Sequence, residues 1–144
     1  MSQEQTAQAL AGVLRDHRAQ LIETLVAMAP AAGSIYEQAS PEQLQPRMAL
    51  VVDACINSIA QNQPAILGRF MRAAADARVQ EGYSLESLIT LAMFTEGALS
   101  DTAEIAFESE PERRQDARQL IRSLIATAEQ VLDSALAEGG ASVQ

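Results

Sequence analysis

The chain has 144 residues and a mass of 15.4 kDa, enough for one domain that buries roughly 70% of its unfolded surface. Hydrophobic residues make up 48% of it and aromatics only 3%, with no Trp, so the core must be built from Leu, Ile, Val, Met and Ala, a set that suits helices better than sheets. A formal charge of -9 and a pI near 4.5 argue against a nucleic-acid partner, which needs clustered cations.

The predicted elements are all helices. From about Glu4 to Met28, Leu10, Leu14, Leu21, Leu25 and Met28 recur at helical spacing with Val13 and Ile22 beside them, which predicts one long helix stopped by Pro30. A short helical turn is expected at Ser34 to Gln38, carrying Ile35 and Tyr36. Ser40-Pro41-Glu42-Gln43 is a helix-start signal, with Ser at the N-cap, Pro at the first position and Gln at the third. Pro46 leaves two readings open, a separate first turn or a kink in one helix. Beyond it Met48, Val51, Val52, Cys55, Ile56 and Ile59 form one apolar face, up to the break at Asn62-Gln63-Pro64.

The next helix, from about Pro64 to Glu81, turns Ile66, Leu67, Phe70, Met71 and Ala74 inward and carries Arg69, Arg72 and Arg78 on its flanks. Gly82 supplies the left-handed conformation that closes many helices, and Ser84 caps the next, so these two residues form a structural junction. From Ser84 to about Phe107 runs a helix whose middle, Leu88 to Leu99, is nearly apolar all round, which predicts the central element. Ser109-Glu110-Pro111-Glu112 matches a capping box, and the last helix, bearing Leu120, Ile121, Leu124, Ile125, Leu132 and Ala135, is expected to end at Gly139-Gly140. The expected domain is thus 1–138, with five to six main helices, and 139–144 a flexible tail or a linker.

Few residues of the chain could carry chemistry. All ten cations are Arg, which removes Lys-based Schiff-base chemistry and a P-loop Lys, although an overall bias toward Arg explains the absence without a functional cause. His17 is the only histidine, so there is no ligand cluster and no triad base with a partner. It reads as a surface or boundary residue of the first helix, whereas a globin-type haem site needs a histidine late in the fold. No Glu-x-x-His pair exists. No catalytic, cofactor-binding or metal-ligating residue is therefore assigned, and the chain is not expected to be an enzyme.

The single cysteine, Cys55, permits no internal disulfide and reads either as a redox thiol or, given its apolar neighbours, as a small buried hydrophobe. Glu96 is the one acid within the apolar run: either a buried carboxylate that pairs with Arg or holds a polar ligand head, or a residue on a solvated edge. Gly97 costs about 1 kcal/mol relative to Ala and reads as a close helix approach, internal or across a dimer. Arg72, Arg78 and Glu81 read as a solvated face with ion pairs to Asp76 rather than a binding patch. Met1-Ser2-Gln3-Glu4-Gln5 has no basic n-region and no long apolar run follows, so neither a signal peptide nor a membrane span is expected, and the expected location is cytoplasmic.

The long first helix, the all-helical middle and the stretch Ala77-Arg78-Val79-Gln80-Glu81-Gly82-Tyr83-Ser84-Leu85-Glu86-Ser87-Leu88 resemble the N-terminal domains of the RsbT co-antagonist (RsbR-type) family. In those domains an Arg, then Gly, then a small hydroxyl residue and Leu mark the same junction. The resemblance spans about residues 5 to 137, with this dozen as its sharp motif. It implies a globin-like helical fold without haem, a homodimer, and a sensory or scaffolding role in bacterial stressosome-type signalling beside STAS-type or switch-kinase partners. Members usually continue into a STAS domain with phosphorylatable Ser or Thr residues, which this sequence does not supply. No residue is carried over as catalytic.

Two functions of different class follow as expectations. The first is a dimeric interaction module that transmits a stress signal. The second is a module binding a fatty acid or other apolar ligand between the Phe70 and Phe94 helices, in a pocket formed by Phe70, Met71, Met93 and Phe94, with Arg69 or Arg72 for an anionic head. The same four apolar residues read equally as a filled core. The ligand domain of TetR-type regulators is a further all-helical possibility, but it usually follows a basic helix-turn-helix that this acidic chain lacks.

Overall fold

Most helix boundaries follow from local chemistry. The structure, a computed structural model, describes residues 3–143, with side chains described as far as residue 138. Among the described residues there are seven α-helices, one 3-10 turn and no strand: α1 (Gln3–Asp16), α2 (Arg18–Met28), the 3-10 turn Ala29–Ala32, α3 (Ser34–Glu37), α4 (Pro41–Ala60), α5 (Ala65–Gln80), α6 (Leu85–Ala106) and α7 (Pro111–Val143).

The start of α4 is a complete capping box: Ser40 Oγ accepts from Gln43 N at 3.2 Å, and Gln43 Oε1 accepts from Ser40 N at 2.9 Å. Pro46 lies inside α4 as one continuous helix, so the first turn is not separate. Both α4 and α5 end in the same way. Asn62 (φ 52°) donates its N–H to Ile59 O at 3.1 Å and Gln63 donates to Ser58 O at 2.9 Å. Gly82 (φ 98°) donates to Val79 O and Tyr83 to Arg78 O, both at 3.0 Å. Ser84 Oγ then accepts from Ser87 N at 3.1 Å and opens α6, so the junction is built as its sequence predicts.

Three expectations need correction. The long first helix is two helices, because His17 adopts φ -106° and ψ 14° and its Nδ1 bonds Val13 O at 2.9 Å, competing for a carbonyl that its own amide also reaches at 3.1 Å. At the other end α7 begins one residue later than the Ser109 signal implies: Glu110 takes the cap position, its carbonyl accepting from Arg114 N at 2.9 Å. The same helix continues through Gly139-Gly140 to Val143; Gln144 lies outside the described residues.

α6 packs most extensively on α7 and also touches α1, α2 and α5, as a central element should. It is not enclosed, however. Leu88, Leu91, Thr95, Ala98 and Leu99 are buried, while Met93 is 57% and Ile105 73% exposed on the opposite side. A Cβ at Gly97 would meet nothing within 4 Å, so this glycine marks no close approach inside the chain. Leu10, Leu14, Leu44, Ile121, Leu124 and Leu132 belong to one continuous buried core.

Candidate functional site

α4 and α5 are tied at one end by a buried hydroxyl. Pro64 offers α5 no side-chain cap, and the Leu67 amide in its first turn donates instead to Ser58 Oγ at 2.9 Å, while Ser58 Oγ donates to Ala54 O at 2.8 Å. Further along, α4, α5 and α6 surround a cavity of about 270 Å³. Met48 and Val51 face it from α4, Met71 and Ala74 from α5, and Leu88 and Leu91 from α6. Tyr36 of α3 closes one side, and exposed Leu50 with half-buried Phe70 stands at the rim. A void of about 20 Å³ shares Val51, Met71, Leu88 and Leu91 with this cavity and reaches Cys55 and Thr95.

The polar end of the cavity is made by Arg47, Arg78 and Tyr36, with Tyr83 packed behind them. Arg47 Nη1 donates to Tyr83 Oη at 2.6 Å, with its guanidinium 5.4 Å from the Tyr83 ring centre. The Tyr36 and Tyr83 rings meet edge to face at 4.8 Å. Arg47 Nη2 lies 3.0 Å from Glu81 Oε1 and Arg78 Nη2 3.1 Å from Glu81 Oε2, so one carboxylate serves cations from α4 and α5. Burial, reinforced by Tyr83, pushes the Tyr36 phenol up to about 12, so it is a neutral donor at any ordinary pH. Burial likewise pushes the Cys55 thiol up to about 12, which makes it a packed hydrophobe rather than a nucleophile.

The structure brings together only part of the set expected from the sequence. Phe70 and Met71 line the cavity. Met93 does not, because it lies two residues past Leu91 and so on the far side of α6, and Phe94 packs on the core outside the lining. Arg69 and Arg72 flank an open groove between α5 and α7 instead, where Arg72 pairs with Asp76 at 3.7 Å, as its spacing predicts, and with Glu138 at 2.5 Å. Arg47, Arg78 and Tyr36 take the polar role, with Tyr83 outside the lining as the partner of Arg47 and Tyr36, and no local signal in the sequence marks Arg47. Glu96 is partly exposed and lies 4.0 Å from Arg122 of α7, an arginine partner rather than a ligand contact. His17 is exposed.

A wider depression of about 860 Å³ lies between α2 and the start of α4, bordered by exposed Arg18, Glu23 and Glu42. Among the described residues no group of three or more His, Cys, Asp or Glu side chains is placed to hold a metal ion, and no helix is long and apolar enough to cross a membrane. Compared with protein-family models, with curated proteins and with solved structures, the chain finds no match.

Proposed function

We propose that this chain is a non-catalytic sensory module that holds an apolar small molecule between α4, α5 and α6 and passes its occupancy on to protein partners. The cavity of about 270 Å³ carries the reading: it is walled by methionine and aliphatic side chains, and its few polar groups gather at one end. Methionine walls adapt to ligands of irregular shape. No nucleophile with an adjacent base lies on that wall, which favours binding over reaction.

The resemblance of residues 77–88 to RsbR-type N-terminal domains supplies the setting. In that setting the module is globin-like and haemless, works in the bacterial cytoplasm as a homodimer, and contacts STAS-type or switch-kinase proteins in stress signalling. The exposed Met93 and Ile105 of α6 favour a partner on that face. Native mass spectrometry of the purified chain, with a thermal-shift series of single-chain amphiphiles, tests the ligand: an adduct or a rise in melting temperature is expected, and neither would sink the proposal. Light scattering on a sizing column tests the dimer, which a monomer at micromolar concentration contradicts.

A further inference from the structure

Cation exceeds anion at the mouth of the cavity. Arg47 and Arg78 both line it, 33% and 23% exposed, whereas Glu81, the one carboxylate between them, lies outside the lining and is 42% exposed. Each guanidinium offers five N–H donors, and here they serve one bond to Tyr83 and one contact each with Glu81. Arg18, by contrast, holds Asp53 through two bonds of 2.7 and 2.9 Å, a matched pair on open surface.

We infer that Arg47 and Arg78 are the head-group subsite of the cavity, that Glu81 is its internal occupant, and that the ligand is a single-chain monocarboxylate whose head displaces Glu81. This rests on the cavity reading above. The subsite already holds a carboxylate between two guanidiniums, so a second carboxylate reproduces contacts that the site is shaped to make. The wall beyond it, Met48, Met71, Leu88 and Leu91, offers nothing to a second polar group, which would be buried without a partner. A volume of about 270 Å³ falls just under the ~300 Å³ at which ordinary small-molecule sites begin, which restricts the chain to one and keeps it short. Glu81 is also the C-cap of α5, next to Gly82, so its displacement acts directly on the joint that leads into α6.

Calorimetric titration of the full chain with decanoate and with decanol, both below micelle formation, tests the assignment. Wild type is expected to bind decanoate about tenfold more tightly than decanol, the difference one charge-assisted pair makes. Glu81→Gln removes the internal competitor and strengthens decanoate while leaving decanol unchanged. Arg78→Met brings decanoate down to the decanol level, and Arg69→Met, outside the cavity, changes neither; circular dichroism confirms that each variant is folded. Equal binding of decanoate and decanol, indifferent to Glu81→Gln, overturns the head-group subsite and leaves the apolar cavity standing. Binding of neither removes both. Preference for decyl phosphate over decanoate overturns the carboxylate assignment.

Discussion

The two flanks of α5 are built from the same ingredients and end differently. Toward α7, Gly68 is buried at the floor of the open groove, where a Cβ placed on it would make ordinary contact at 3.5 Å with Thr127 Cγ2 and Val131 Cγ2, and Arg72 pairs with Glu138 at the edge. Toward α4, Phe70, Met71 and Ala74 face Met48 and Val51 across open volume, and Arg78 shares Glu81 with Arg47. What separates the two flanks is the shape of the space, an open groove beside α7 and a walled cavity beside α4, and the origin of the opposing carboxylate, a distant helix on one side and the α5–α6 joint on the other.

Filling each flank should break this symmetry of composition most clearly. Gly68→Leu has room for its Cβ but carries its branched end toward the Thr127 and Val131 methyls and is expected to destabilise by about 1–3 kcal/mol, whereas Ala74→Leu points into existing space, shifts stability by less than about 1 kcal/mol, and abolishes ligand binding. Chemical denaturation of the pair measures both, and equal losses would mean that the cavity side is as tightly packed as the other. At the joint that serves the cavity, Gly82→Val forces a β-branched residue to φ 98° and should cost about 2 kcal/mol; an unchanged melting temperature would show the helix end to be misread. Ser58→Ala leaves the Leu67 amide without its acceptor at the buried end of the α4–α5 pair and should cost about 1–2 kcal/mol.

The smallest effect is the pH dependence of the α7 flank. Hydrogen bonding to Arg72 holds the Glu138 carboxyl below its usual range, as Arg18 does for Asp53 and Arg118 for Glu104. A depressed carboxylate contributes stability above the unfolded value, about 4, and loses it as pH falls through the lower folded value. Stability should therefore decline as acid is added below that range, and Glu138→Gln should flatten part of the decline in an acid titration of the unfolding midpoint.

How much of this was legible depends on how local each cause is. Ser40 with Gln43 and Gly82 with Ser84 act within a few residues, so caps and the joint could be read directly. Pocket geometry is set across the chain: Arg47 meets Glu81 over 34 residues, and Ser58 accepts from the Leu67 amide nine residues on. Neither pairing has a spacing rule. Within α6 the run from Leu88 to Leu99 is nearly apolar all round, which hides its phase, so the spacing alone points to Met93 and Phe94 where Leu88 and Leu91 line the pocket. His17 escaped because the surrounding periodicity continues across it while one side-chain bond interrupts the helix.

Methionine methyl resonances test the central claim most directly, since Met48 and Met71 line the cavity while Met28 and Met93 lie outside it. In a methyl-labelled sample titrated with decanoate, the Met48 and Met71 signals should shift together and saturate, with Met28 and Met93 still. Movement of Met93 with Met48 and Met71 unchanged would place the ligand on the outer face of α6 and contradict the account.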